Sequence, residues 1–441
     1  MKVLKFGGTS VGAPERMESV AKIITRDDHP KIVVLSALSG TTNSLVEIGG
    51  HWHDGESDHV QALIDALYLH YSDFVKALLG QSDYLQAGIQ VVERHFTKIR
   101  MLTAISFNHS SNKELLAQGE LLSTNLFVLY LQQLGLKAKL IPALDFMRID
   151  KNEEPDLAFL QKRLSSFTTE EDTLFITQGF ICKNHQDEID NLKRGGSDYT
   201  ASLIGAAISA DEIQIWTDID GMHNNDPRIV PDTFPIQALS FDEAAELAYF
   251  GAKILHPNTI WPAQKGNIPV KLLNTMAPKA KGTTISSAKN PGSIKAIAAK
   301  DGITAIKIKS SRMLLAYGFL RKIFEIFEQY RVPIDMITTS EVAVSLTIDS
   351  DEHLGSLVEA LKEYGEVAID KGLTIVCVVG DLIAEQKGIV NQVFNSTGDQ
   401  PIRMVSYGGS RNNISLLVPT STKKEILLAL NNGLFSTSAV G

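Results

Sequence analysis

Apolar residues along this chain fall into two alternating kinds of run. Short blocks dense in Val, Ile, Leu and Phe, at Val3–Phe6, Ile32–Ser36, Ala138–Pro142, Leu174–Ile181, Gln214–Thr217 and Val270–Leu273, read as buried strands. Longer stretches between them, among them Pro14–Arg26, Gln61–Leu79 and Asn112–Leu134, space their apolar residues three or four apart and predict helices. Strand and helix in alternation predict an α/β fold, a mostly parallel sheet covered by helices on both faces. Ligands of such sheets bind beyond the carboxyl ends of the strands. The polar segment Pro278–Gly292, rich in Gly, Pro and Ser, reads as a linker.

Beyond that segment the pattern repeats. Gly318-Phe-Leu, Pro333-Ile-Asp-Met-Ile337 and Val344-Ser-Leu-Thr-Ile348 recur as Gly388-Ile-Val, Pro401-Ile-Arg-Met-Val405 and Ile414-Ser-Leu-Leu-Val418, a shift of about 70 residues. Each copy reads strand, loop, helix, strand, strand, which is a ferredoxin-like order.

At 441 residues the chain is too long for one ordinary core, so two or three domains are expected. With 44% apolar and 21% charged residues it is of ordinary globular composition. A net charge of −9 argues against nucleic acid or an anionic membrane as a partner, so any phosphate-binding cleft must be made basic locally. Cys182 and Cys377 have neither disulfide-like nor metal-like spacing, which suits a reducing cytoplasm. No apolar run reaches the roughly 18 residues of a membrane helix. The chain starts directly in a strand, with no leader expected.

Candidate chemistry begins at the first strand. Lys5-Phe-Gly-Gly-Thr-Ser10 runs from strand into a Gly7-Gly8 turn, where backbone N–H groups can converge on an anion and Lys5 adds a cation. The spacing is not that of a P-loop. A second glycine turn, Arg194-Gly-Gly-Ser-Asp198, opens an apolar helix over Ala201–Ala210, with Ser197 and Asp198 in cap positions. Ile213–Thr217 reads as a strand ending in Thr217-Asp218, followed by the polar loop Met222–Arg228, and Phe250–Pro257 closes a helix with Lys253 beside an X-Pro stop.

In this order the motifs resemble the aspartate kinase family: Lys5–Ser10, Ser36-Ala-Leu-Ser-Gly-Thr-Thr-Asn43, Gln118-Gly-Glu-Leu-Leu-Ser123, Arg194–Asp198, Thr217-Asp-Ile-Asp-Gly221, Asp226-Pro-Arg228 and Phe250-Gly-Ala-Lys-Ile-Leu-His-Pro257. Gly318-Phe-Leu320 and Thr338-Thr-Ser-Glu-Val342 look like the lysine-sensitive, monofunctional subgroup. The resemblance implies an amino-acid-kinase catalytic domain over residues 1–290. It also implies a regulatory region over 291–441, made of two intertwined ACT domains (about 301–371, and 292–300 with 372–441), in which Ile294–Ala299 supplies the first strand of the second module.

The implied reaction moves the γ-phosphate of ATP, with Mg²⁺, onto the β-carboxylate of L-aspartate, the first step towards lysine, threonine and methionine. Both reacting groups are anionic, so the site must neutralise charge and hold them in line. Lys5 and Lys253 are the expected clamps. Asp198 orients the lysines and Mg²⁺ water, since a carboxylate nucleophile needs no base at pH 7; its alternative is a plain helix cap. Arg194 suits the α-carboxylate and Glu120 the α-ammonium, with Ser36, Thr42 and Ser197 adding neutral hydrogen bonds; Glu120 could instead be a solvated helix residue. For the nucleotide the resemblance points to Lys5, Gly7, Gly8, Ser10, Thr217, Asp218, His223, Arg228 and Lys253. No protein metal ligands are assigned.

Three features depart from the family pattern. His223 stands where a tyrosine usually packs on adenine, and Lys193 where a glycine usually precedes the arginine. In the effector site, implied at Met313, Gly318, Phe319, Leu320 and Asp335, Ala316 and Pro333 replace common serines. Lysine is the first expected effector and threonine the second. The expected assembly is a homodimer or dimer of dimers through the ACT modules. Alternatives are another amino-acid kinase, such as one for glutamate, and a catalytically silent amino-acid sensor. No Gly-x-Gly-x-x-Gly turn follows a strand, so no fused dehydrogenase is expected.

Overall fold

The computed structural model describes residues 1–80, 82–167, 173–192, 195–251, 257–289, 293–313 and 317–435. Lys193, Arg194, Lys253 and Ala316 lie outside them. The chain divides into two compact units, Met1–Met222 with Leu255–Ser287, and His223–Ile254 with Ala288–Gly441.

In the first unit the strands are β1 (Lys2–Phe6), β2 (Lys31–Leu35), β3 (Ala138–Leu140), β4 (Leu174–Gln178), the hairpin β5 (Ile181–Lys183) and β6 (Ile189–Asn191), and β7 (Glu212–Thr217). With β8 (Ala238–Ser240) falling in the second unit, β9 (Val270–Asn274) and β10 (Thr283–Ser286) complete the set. The order β3-β4-β2-β1-β7-β9 is parallel throughout, and β10 joins β9 antiparallel. Every residue of β2 is buried, as expected of a strand covered on both faces.

The helices of this unit are α1 (Gly8–Val11), α2 (Pro14–Ile24), α3 (Thr41–His53), α4 (Ser57–Leu78), α5 (Ser82–Thr103), α6 (His109–Gln133), α7 (Leu157–Phe167) and α8 (Gly196–Ile208). Helix α10 (Pro257–Lys265) belongs here too, whereas α9 (Phe241–Tyr249) packs with the second unit. Asn108 caps α6, its Oδ1 accepting the Ser111 N–H at 2.8 Å. Tyr71, Phe96 and Phe127, all fully buried, join α4, α5 and α6 into one core with Phe6.

Two sequence expectations change here. The run Leu174–Ile181 is not one strand: it breaks at Gly179-Phe180, where Phe180 takes φ 68°, a left-handed conformation that ends extended pairing. The segment Pro278–Gly292 is not all linker either, because β-branched Thr283, Thr284 and Ile285 pair with β9 and Ile285 is fully buried.

The second unit is built on one antiparallel sheet. Two long strands, β11 (Ile294–Lys309) and β14 (Glu366–Gly380), form its centre, flanked by β12 (Ile337–Thr339) and β13 (Ala343–Ile348) on one side and β15 (Met404–Tyr407) and β16 (Asn413–Pro419) on the other. Both long strands serve both halves, with register shifts near Lys300 and Ile303. Helices α11 (Phe319–Gln329) and α12 (Leu354–Lys362) cover one half, α13 (Ile389–Ser396) and α14 (Lys423–Phe435) the other, over separate apolar clusters. The repeat read from the sequence is thus real in three dimensions. Gly318 and Gly388 begin α11 and α13 at φ 79° and 81°, a conformation costly for any residue with a Cβ.

Candidate active site

The carboxyl ends of β1, β2, β4 and β7 surround a cavity of about 500 Å³, lined by residues that follow each strand: Gly8 and Thr9, Ser36 to Gly40, Phe180, Thr217 and Asp218. Thr42 and Asn43 of α3, Glu120 of α6, and Gly196 and Ser197 of α8 complete the wall. Helices α1, α3 and α8 all start at this cavity. Their N-cap residues are Gly7, Gly40 and Gly195, none of which offers a side-chain cap. Their first-turn N–H groups and positive dipole ends are left for an anionic ligand.

Gly195 at φ 80° is the true N-cap of α8, so Ser197 and Asp198 sit within the first turn instead of capping it. Asp198 thereby reaches Lys5: Nζ lies 2.6 Å from Oδ1, with the side chains 11% and 17% exposed. Residues adjacent to both ends of this largely desolvated pair, Gly8, Gly196 and Ser197, line the cavity. Gly8 packs closely on the loop after β2, and a Cβ there would meet the Ala37 carbonyl oxygen at 3.0 Å, so that loop would have to give way slightly.

Glu120 lies on the buried side of α6, 3% exposed, and is not a solvated helix residue. Two contacts bind α6 to the loop after β2. Ser123 Oγ donates to Ser36 O at 2.8 Å, and the Ala37 N–H donates to Glu120 Oε1 at 3.2 Å. Glu120 Oε2 is buried with no partner. Burial pushes this carboxyl up to about 8, although the Ala37 N–H and the Lys5 charge pull it down. A half-satisfied buried carboxylate is expensive unless a ligand cation completes it.

Other assigned residues are placed less directly. Ser10 is fully buried, its Oγ sharing a 2.7 Å hydrogen bond with Thr275 Oγ1, and it faces the interior. The Gly7 N–H donates to Trp216 O at 3.2 Å, tying the turn to β7. Thr217 Oγ1 donates to Asp218 Oδ1 at 3.1 Å at the cavity rim. His223 and Arg228 belong to the second unit, where His223 Nδ1 lies 2.9 Å from Thr233 Oγ1 and Arg228 is held in a fork by Asp226 at 2.9 and 2.7 Å.

Sequence reasoning missed Phe180. Its backbone N–H bonds Thr200 Oγ1 at 3.0 Å, fastening the β4 end to α8, and its positive φ at a cavity wall is the strain that functional turns often hold. The available signal was Gly179 before a bulky residue at a strand end.

Among the residues expected at an effector site, Asp335 has a buried side chain that is already paired. Lys300 Nζ lies 2.7 Å from its Oδ1 and 2.9 Å from Asp349 Oδ2, and the Tyr249 hydroxyl donates to the same Oδ1 at 2.7 Å. The Lys300 ammonium also stands 4.5 Å from the Tyr249 ring centre. Burial opposes that ammonium, yet the two carboxylates hold it above its ordinary value. Asp335 Oδ2 is buried without a partner. Phe319 is buried, and Met313 and Leu320 pack partly buried against the same cluster, beside the Gly318 turn.

Uncapped helix ends at one cavity, a desolvated Lys–Asp pair and a buried carboxylate, all at the carboxyl ends of parallel strands, make a site suited to a small anionic ligand, and comparison with known proteins gives the class of protein, an amino acid kinase. The family model for the amino acid kinase family matches residues 1–274, and one for the ACT domain matches 376–434. The chain is 34% identical over 451 residues to lysine-sensitive aspartokinase 3 of Escherichia coli (strain K12), covering 98% of this chain and 99% of that one. The crystal structure of Escherichia coli aspartokinase III in complex with aspartate and ADP superposes with a TM-score of 0.87 at 34% identity, covering 99% and 100% of the two chains. Its complex with lysine and aspartate gives 0.79 at 34% identity and 99% coverage of each chain. The chain belongs to the aspartokinase family.

Proposed function

We propose that this aspartokinase transfers the γ-phosphoryl group of ATP to the β-carboxylate of L-aspartate in the cavity above β1, β2, β4 and β7. The observation that carries the reading is Glu120, whose unpartnered, buried Oε2 suits the α-ammonium of an amino acid better than any group of ATP. Arg194, by its place in the family motif, takes the α-carboxylate, with Ser36, Thr42 and Ser197 alongside. The uncapped starts of α1 and α8 suit the phosphates, and Lys5 and Lys253 neutralise the transferring group. Asp198 holds Lys5 in place at 2.6 Å. Thr217, Asp218, His223 and Arg228 serve the nucleotide. The relative solved with aspartate and ADP supports both ligands.

The carboxylates of Asp218 in the cavity wall and of Asp198 beside Lys5 are oxygen donors of the kind that suits Mg²⁺ arriving on the nucleotide and keeping its waters. That ion would neutralise charge on the phosphates, with Asp198 and Asp218 as the nearby acidic partners.

For regulation we read residues 291–441 as the two-module ACT region and lysine as its effector, following the relative solved with lysine. The free Oδ2 of Asp335 is the acceptor for an ammonium. Binding there would compete with Lys300 and Tyr249, and Tyr249 ends α9 four residues before Lys253. The sheet edges expose Ile337, Val342 and Tyr407, which supports a homodimer through this region. Two free, buried cysteines support a cytoplasmic setting, and among the described residues no helix is long and apolar enough to cross a membrane.

The test is an ATP-coupled assay with aspartate and glutamate side by side, on wild type and Lys5→Ala. Aspartate-dependent turnover that falls by two or more powers of ten in the variant, about 3–4 kcal/mol, is expected. Preference for glutamate, or near-normal turnover of Lys5→Ala with the fold intact, would overturn it.

A further inference from the structure

The turn between α3 and α4 gathers three potential metal ligands that play no part in the kinase reaction. His51 Nδ1 lies 2.6 Å from Glu56 Oε2, and His59 Nδ1 lies 3.4 Å from the same oxygen. The two imidazoles stack at 5.2 Å between ring centres and 19° between planes, so both present Nδ1 to one carboxylate oxygen. All three ligand atoms fall within 4.8 Å of one another. In a tetrahedral site with bonds of about 2.0–2.1 Å, neighbouring ligand atoms stand roughly 3.4 Å apart. The His59 contact already has that spacing, and the His51 contact needs to open by less than an ångström.

The scaffold beneath these side chains is rigid. Helix α3 ends in a Schellman turn: Gly55 at φ 77° follows the helix, its N–H bonds Trp52 O at 3.2 Å and the Glu56 N–H bonds His51 O at 2.9 Å. Trp52 is 6% exposed, and its indole N–H donates to Ile105 O at 2.8 Å. His59 stands one helical turn into α4, three residues after Glu56. The loop thus fixes His51 and Glu56 relative to each other before any ligand arrives, which lowers the cost of binding.

We propose that His51, Glu56 and His59 form a binding site for a borderline divalent transition metal of the Zn²⁺ class, with the fourth position open to water. Two imidazoles and one carboxylate suit Zn²⁺, and disfavour Mg²⁺ and Ca²⁺, which prefer all-oxygen ligands. Binding displaces the protons that the imidazoles share with Glu56 and replaces two hydrogen-bonded contacts with coordinate bonds. The ion clamps the end of α3 to the start of α4, and the opposite end of α3 carries Thr42 and Asn43 at the substrate cavity.

Titration of the full-length protein with Co²⁺ and Zn²⁺, without nucleotide, tests the site. Wild type should take up about one equivalent of Co²⁺ with the intense visible bands of a tetrahedral ion, displaced by Zn²⁺, and its melting temperature should rise with Zn²⁺. His59→Ala and Glu56→Gln should each weaken binding by about tenfold or more and remove the thermal shift. His53→Ala, a neighbouring exposed histidine outside the triad, should leave both unchanged. Absence of stoichiometric Co²⁺ uptake, or uptake that survives His59→Ala and Glu56→Gln, overturns the proposal.

Discussion

Aspartate binding should expel a proton, because Glu120 changes its charge state when the ligand arrives. Burial raises this carboxyl from 4.5 to about 8, so in the free enzyme at pH 7 it is roughly nine-tenths protonated. An α-ammonium at Oε2 favours the ionised form, and binding then releases about 0.9 proton at pH 7, about 0.5 at pH 8 and about 0.1 at pH 9. Apparent aspartate affinity should rise roughly fiftyfold between pH 6 and pH 8, following the ionised fraction. The same shift has a cost in stability. The folded protein retains a proton that the unfolded chain loses above 4.5, so this group destabilises increasingly from pH 4.5 to about 8 and levels off beyond. At about 1.4 kcal/mol per pH unit, the penalty is roughly 3 kcal/mol at pH 7 and roughly 5 kcal/mol past pH 8. Glu120→Gln keeps an oxygen for the Ala37 N–H and removes the titration, so the free variant should be more stable than wild type by up to roughly 3 kcal/mol at pH 7, while its aspartate KM rises. Calorimetry in buffers of different ionisation enthalpy counts the protons, and denaturant unfolding against pH reads the stability. Proton release near zero at pH 7, or an unchanged release in Glu120→Gln, would refute the assignment.

Three further outcomes are expected. Arg194→Ala should raise the aspartate KM far more than the ATP KM, and equal effects on both would show that the guanidinium serves the nucleotide. His223→Tyr should tighten ATP a few-fold, within about 0.5–1.5 kcal/mol of stacking, and an unchanged ATP KM would place His223 away from the base. Lysine inhibition is where Asp335 is tested. Asp335→Ala should abolish it with uninhibited kcat unchanged, whereas Lys300→Met, which frees Asp335 from its 2.7 Å ion pair, should shift inhibition to roughly tenfold lower lysine. Inhibition curves for both variants that overlay wild type would remove Asp335 from the effector site.

Much of this enzyme was legible in its residues alone, because local rules were enough. Period-two and period-3.6 patterns marked β1, β2, β7, α2 and α6 to within a few residues, and Gly-Gly turns marked the starts of α1 and α8 at the cavity. The repeat at Gly318 and Gly388 was visible because each copy needs the same left-handed residue before its helix. Spatial neighbours decided the rest. β10 reads as linker until β9 supplies its pairing, and Ser197 and Asp198 read as caps until the Gly195 conformation moves Asp198 onto Lys5, 193 positions away in the chain. Glu120 is an unremarkable helix residue in sequence, and only its burial in the tertiary structure raises its pKa, against the pull of the Ala37 N–H. Asp335 looked available for an effector, whereas Lys300 and Tyr249 already hold one of its oxygens. Periodicity reports which face of an element is buried, but desolvation and ion pairing depend on what that face meets, and in this protein those two set the surroundings of Glu120, Asp198 and Asp335.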